Sequence, residues 1–183
     1  MIDRPAAPGF DEPLEMLAAC HERIEHQLAT LERMVPHLET HGCDPEARSA
    51  AQAVLRYFET AGVLHHRDED EDLFPLLRIL AATHSRPEVT AALEELEREH
   101  ASMHAQWERL RTRLQAVEGG EPRIDPEEVA RFAWLYRRHM DRESAAVLPF
   151  AREALDESQR AALRKRITTR RKIPLPPEGA NTK

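Results

Sequence analysis

Seven residues stand out by type and spacing: His21, His65, Glu69, His100, His104, His139 and Glu143. A histidine, a glutamate four residues on and a proline six residues after that occur twice, as His65/Glu69/Pro75 and His139/Glu143/Pro149. Residues four apart share one face of a helix, so each His–Glu pair can reach one centre. His100 and His104 repeat the spacing with two imidazoles. Each of the seven takes a place where the surrounding pattern calls for an apolar residue, and ionisable groups facing a core are costly unless something pairs with them. Five imidazoles and two carboxylates at one level are best explained by a pair of metal ions. Imidazole suits iron, zinc, copper and nickel, and carboxylate pulls the preference toward harder ions. Seven donors exceed the needs of one tetrahedral zinc. Two bridging carboxylates with five terminal imidazoles would hold two irons, six-coordinate at one and five-coordinate at the other, leaving an open position for a small molecule.

The elements that must position these groups are helical. The spacing of apolar residues predicts four long helices, at roughly 11–40, 46–74, 88–118 and 127–148. Their stripes are Leu14, Leu17, His21, Ile24, Leu28, Leu31 and Val35; Val54, Phe58, Ala61, His65, Glu69, Leu73 and Leu76; Val89, Leu93, Leu96, His100, Met103/His104, Trp107, Leu110 and Leu114; and Phe132, Leu135/Tyr136, His139, Glu143, Val147 and Phe150. Asp44-Pro45-Glu46 and Asp125-Pro126-Glu127 are helix starts, with a capping carboxylate followed by proline. Gly42 and Gly119-Gly120 are stops. Pro75 should kink or end the second helix. A short helix is expected near 157–172, with Asp156 as its cap.

His21 and His65 each lie about 19 residues, or roughly 28 Å, from the turn that joins their helices, so an antiparallel hairpin brings them together. A shift of 79 residues places His21 on His100, and a shift of 74 places His65 on His139 and Glu69 on Glu143. Two such hairpins related by a pseudo-two-fold axis enclose a site on the bundle axis. The expected fold is therefore all-α: an antiparallel up-down four-helix bundle with a short extra C-terminal helix. The expected division is an arm at 1–10, a bundle at 11–155, a basic helix at 156–172 and a disordered Pro-rich tail at 173–183.

The ordered pattern H…HxxxE…HxxxH…HxxxE resembles the hemerythrin-like, or His-His-Glu cation-binding, domain family. The resemblance covers roughly residues 11–150. It rests on His21, on HHRDEDEDLFP at 65–75, on EHASMH at 99–104 and on HMDRESAAVLP at 139–149. It implies a non-heme di-iron centre with an oxo or hydroxo bridge. In it His21, His65, His100, His104 and His139 would be terminal ligands, and Glu69 and Glu143 would bridge. Oxygen-carrying hemerythrins place an aspartate five residues after the last histidine. Here a glutamate stands four residues after it, as in bacterial relatives.

Three functions follow as alternatives. The centre could bind O2, NO or peroxide for storage, delivery or sensing; it could be an oxidoreductase consuming peroxide or NO; or it could handle iron. An enzyme needs a proton source, and Tyr136, one turn before His139, is the candidate; its other reading is a packed boundary tyrosine. A competing register on the second helix, His66/Asp70, is set aside because the His65/Glu69 spacing to proline recurs, which leaves His66 outside the ligand set. The acidic run Asp68–Asp72 is either a second cation site or a solvated face with Glu69 alone turned inward.

Bulk properties narrow the field. The chain has 183 residues and a net charge of −7, which argues against nucleic acid as the main ligand. Two cysteines, Cys20 and Cys43, are too few for a disulfide framework. No apolar run approaches the ~20 residues that span a bilayer, and MIDRPAAPGF has no signal core, so a soluble cytoplasmic protein is expected. Residues 160–172 carry seven basic groups, a solvated tail or a dock for an anionic partner.

Overall fold

The structure, a computed structural model, describes residues 12–172, and all regular structure among them is helical. The arm at 1–10 and the tail at 173–183 lie outside the described residues. Helix α1 (Pro13–His41) ends where Gly42 adopts φ 67° and its N–H reaches the Leu38 carbonyl at 3.0 Å. The chain restarts at once. Asp44 caps the next helix, accepting from Ala47 N at 2.9 Å, with Pro45 in the first turn. Helix α5 (Pro87–Gly119) stops at Gly120, whose φ of 107° is open to glycine and costly for other residues. Asp125 caps α6 (Pro126–Arg142) through Glu127 N.

The second helical run does not end at Pro75. It continues to Thr83 as α2 (Pro45–Tyr57), α3 (Val63–Asp68) and α4 (Phe74–Thr83), joined by π-helical turns at Phe58–Gly62 and Glu69–Leu73. The fourth run does the same, with α6 followed by a π turn at Glu143–Val147 and then α7 (Leu148–Ala154). Proline lacks an N–H, and its ring crowds the carbonyl four residues back. A π turn just before it widens the helix there. Phe74 N–H reaches back to the Glu69 carbonyl and Leu148 N–H to that of Glu143. Both prolines therefore sit inside helical runs, and both π turns begin on a glutamate of the predicted site. Single π turns of this kind are frequent at functional sites.

The apolar core is divided. One cluster holds Ile24, Leu28, Leu31, Val54, Phe58, Met103, Trp107, Leu110 and Phe132. The other holds Leu14, Leu17, Leu73, Leu77, Leu93, Leu96, Val147 and Phe150. Along the chain the change from one set to the other comes at His21 on α1, across His65 and Glu69 on the second run, at His100 on α5 and at Glu143 on the fourth run. Helix α8 (Glu157–Lys172) buries Leu163 and Ile167 in the second cluster. Asp156 and Gln159 cap it reciprocally, each side chain accepting from the other's N–H at 2.8 and 3.0 Å.

Candidate metal centre

The layer between the two clusters is polar and largely buried. Here α1 contributes His21, α3 His65, α5 His100 and α6 His139, while the two π turns contribute Glu69 and Glu143. Donor atoms of His21, His65, Glu69 and Glu143 all lie within 4.8 Å of one another, and Glu69, His100 and His139 form a second such group. Glu69 belongs to both. Its Oε1 is 3.1 Å from His65 Nε2 and its Oε2 is 3.2 Å from His100 Nε2. His21 Nε2 lies 2.8 Å from Glu143 Oε2, and the Nε2 atoms of His100 and His139 are 3.1 Å apart.

These approaches are short, yet most lack hydrogen-bond alignment. Both oxygens of Glu69, both of Glu143, both ring nitrogens of His65 and Nε2 of His21 are buried without a hydrogen-bond partner. Each such orphaned group costs about 1–3 kcal/mol, and more when charged. Buried polar atoms in native folds are otherwise almost always satisfied. Donor atoms crowded together but not bonded to one another are aimed at common points between them. Imidazoles and carboxylates so aimed fit cations of intermediate hardness.

Electrostatics agree. Burial, reinforced by neighbouring Glu143, pushes the Glu69 carboxyl up to about 8. Burial opposes charge on His100, but Asp70 and Glu69 outweigh it and raise the imidazole to about 10. Burial also opposes charge on His21, where Glu143 and Glu69 win and the pKa rises. His65 and His139 are lowered, first by burial and then by neighbouring imidazoles.

A model of the Hemerythrin HHE cation binding domain matches residues 12–151. The chain belongs to that family. A relative, an uncharacterized protein of Haemophilus influenzae, is 30% identical over 165 residues, which span 90% of this chain and 92% of its own. Cation binding is the property that the family's description carries to this hemerythrin-type domain, and the His/Glu layer contains donor groups that could hold a metal ion.

Within the domain, six of the seven predicted residues come together. His104 does not. It is exposed, one turn beyond His100 on α5, because the inward stripe runs from His100 through Met103 to Trp107. His66, expected outside the ligand set, belongs to neither donor group. It stacks on His100 at 4.2 Å and on Tyr136 at 5.7 Å, and its Nε2 is buried without a partner. Tyr136 is buried and packs on Phe58 and Phe132, and burial pushes its hydroxyl pKa further up.

Two carboxylates outside the layer hold its imidazoles. Asp70 Oδ1 contacts His100 Nδ1 at 2.8 Å, and Glu99 Oε2 contacts His139 Nδ1 at 3.3 Å. Glu99 is in turn paired with Arg138 and Arg142. The acidic run is not a solvated face with Glu69 alone inside: Asp68 and Asp72 are also buried, and they pair with Arg166, Arg170 and Arg171 of α8. Of the C-terminal basic groups, Arg166, Arg170 and Arg171 thus have carboxylate partners within the chain, as does Arg160, which pairs with Glu12. A further cluster, His37, Asp44 and Glu46, lies at the α1–α2 turn. Its Asp44 oxygen already accepts from Ala47 N and contacts His37 Nε2 at 3.0 Å, so capping accounts for it. His26, His41 and His84 are exposed. Cys20 is buried with its sulfur 3.6 Å from Arg171 Nη2.

Proposed function

We propose that this layer holds two iron ions sharing Glu69 and binds a small diatomic, O2 or NO, or peroxide, for storage, delivery or sensing. The observation that carries the reading is the pair of buried carboxylates whose four oxygens lack hydrogen-bond partners, ringed by imidazoles and divided into two donor groups. His21, His65, Glu69 and Glu143 would hold one ion, and Glu69, His100 and His139 the other, with His66 rather than His104 as the additional imidazole nearby. Iron so held supplies a redox-active Lewis acid with an exchangeable position. The chain's residues do the rest: the two apolar clusters exclude water above and below, and Asp70 and Glu99 fix the rings of His100 and His139. The donor-poor group, with three ligands against four, is the side on which a small molecule would enter.

The fold behind this reading is the antiparallel up-down bundle. Its support is the core membership, in which the N-terminal half of α1 shares a cluster with the C-terminal part of the second run and the N-terminal half of α5. Binding is favoured over turnover because the candidate proton donor, Tyr136, is packed among aromatic rings with its hydroxyl made a weaker acid. Among the described residues no helix is long and apolar enough to cross a membrane.

The test is elemental analysis of protein produced with iron available, followed by optical spectroscopy under NO and O2. Two irons per chain and a stable spectral change on exposure to the gas are expected. One tightly bound zinc with no second ion would overturn the assignment. Rapid peroxide turnover without a lasting adduct would move the reading to the oxidoreductase.

A further inference from the structure

Asp68 is fully buried next to Glu69, yet it takes no part in either donor group. Its carboxylate is taken by two guanidinium groups from α8. Arg170 Nη1 donates to Oδ1 at 2.6 Å, and Arg171 donates to Oδ2 through Nη2 at 2.8 Å and Nε at 3.1 Å. Arg170 also reaches forward. Its Nη2 lies 2.6 Å from Asp72 Oδ2 and 2.9 Å from Glu71 Oε2, and Arg166 adds a contact to Asp72 at 3.2 Å. The π turn that begins on Glu69 is therefore gripped on both sides, at Asp68 before it and at Asp72 within it. The helix that grips it is fixed through Leu163 and Ile167 in the second core cluster. All of α8 lies beyond residue 151, where the family match ends.

We propose that Arg170 and Arg171 are positioning residues for the centre, so that α8 is a strap holding the shared Glu69 in place. The inference rests on the metal-centre reading above. A π turn contains one residue more than the α-helix it interrupts. If it relaxed, the residues on one side would rotate by about 100° relative to the other, and the His65–Glu69 pair before it and the core side chains Leu73 and Leu77 after it would no longer face inward together. The charges needed to prevent this come from outside the domain as the family defines it. Removing the strap leaves Asp68 as a buried anion without its partners, and an anion so placed drives its own segment toward water.

The experiment uses the full chain loaded with Fe(II) under anaerobic conditions, and follows release to an excess of a coloured chelator. The proteins compared are wild type, Arg170→Ala/Arg171→Ala, Arg170→Lys/Arg171→Lys and Asp68→Asn, each at a temperature at which its apo form is folded by circular dichroism. The alanine pair should release iron at least tenfold faster than wild type, and the lysine pair should recover part of the loss. A purely structural role would lower the melting temperature of the apo form without changing release from folded protein. Should the alanine pair not fold, Asp68→Asn, which keeps the shape and removes the charge, carries the comparison. Release within twofold of wild type from either folded variant overturns the strap. A wild type that holds no metal at all overturns the centre itself, and the strap with it.

Discussion

The His21–His65–Glu69–Glu143 group and the Glu69–His100–His139 group share one carboxylate but are held in different ways. The first has four donors and both buried glutamates, and the outer nitrogen of His65 has no partner. The second has three donors, but each of its imidazoles is backed by a carboxylate, Asp70 on His100 and Glu99 on His139. One group is thus strong in the number of converging charges, the other in the orientation of fewer ligands. A position held by many donors retains its ion; a position with fewer, pre-oriented donors keeps room for exchange. That difference would give a two-ion centre one structural and one reactive half, and it can be broken at several points.

The largest effect should come from Glu69→Gln. It removes the one charge common to both groups while preserving shape, so both ions should be lost, whereas His139→Ala should cost mainly the second. The apo fold should not suffer, because the substitution also removes a buried carboxyl that burial disfavours. Metal content by mass spectrometry under native conditions, with thermal melting of the apo forms, checks this. Retention of two ions in Glu69→Gln would mean that the groups are independent and the comparison is misdrawn.

Much of this arrangement is legible in the sequence, for a physical reason. His21, His65, Glu69, His100, His139 and Glu143 interrupt apolar stripes, and a buried ionisable group is too costly to be there by accident. The helix ends are equally plain, since Asp44-Pro45, Asp125-Pro126, Gly42 and Gly120 act through local backbone chemistry. The π turns are harder to see. They change the phase of a helix without a distinctive composition, and of the three only those before Pro75 and Pro149 leave a trace. Asp68 and Asp72 are buried on the same face as His65 and Glu69, where the arginines of α8 cover them. His104 shows the same limit in reverse, because Met103 and His104 compete for one stripe position and packing awards it to Met103. The grip of α8 on Asp68 joins residues about a hundred apart and has no local signature at all.

A second difference between apo and loaded protein is set by pH. Glu69, raised to about 8, and His100, raised to about 10, both carry protons in the apo fold near neutrality. Each folded pKa lies above its unfolded value. The stabilising contribution is therefore full below the unfolded pKa, 4.5 for Glu69 and 6.5 for His100, and is lost as pH rises through about 8 and about 10. A cation must displace these protons, so its apparent affinity rises over the same interval. The gap between loaded and apo melting temperatures should widen from pH 5.5 to 8.5. Calorimetry of binding in buffers of different ionisation enthalpy should show net proton release. The carboxylates with lowered pKa, such as Glu32, Glu71 and Glu99, titrate below this window and do not obscure it. A gap that narrows with rising pH, or binding without proton release, would contradict the assignment of Glu69 and His100.

The smallest and most selective effect should come from Glu99→Gln. Glu99 touches no proposed ion. It contacts His139 Nδ1 at 3.3 Å and is itself held by Arg142 and Arg138, so it acts by fixing one ring and by favouring positive charge on it. Glutamine preserves the shape and an acceptor oxygen but not the charge. Outer carboxylates of this kind are worth about 10–100-fold in metal affinity. The lower end applies here, because the distance is long and two arginines already share the charge. We expect the second ion to bind about tenfold more weakly, while the first, whose donors are His21, His65, Glu69 and Glu143, is unchanged. Asp70→Asn should do less, since the Asp70 side chain is 41% exposed against 11% for Glu99 and water screens its charge. Titration of apo protein with Co(II), whose visible bands report each position separately, distinguishes the outcomes. Equal weakening of both ions would mean that Glu99 supports the bundle as a whole, and no weakening at all would remove the oriented-ligand half of the comparison.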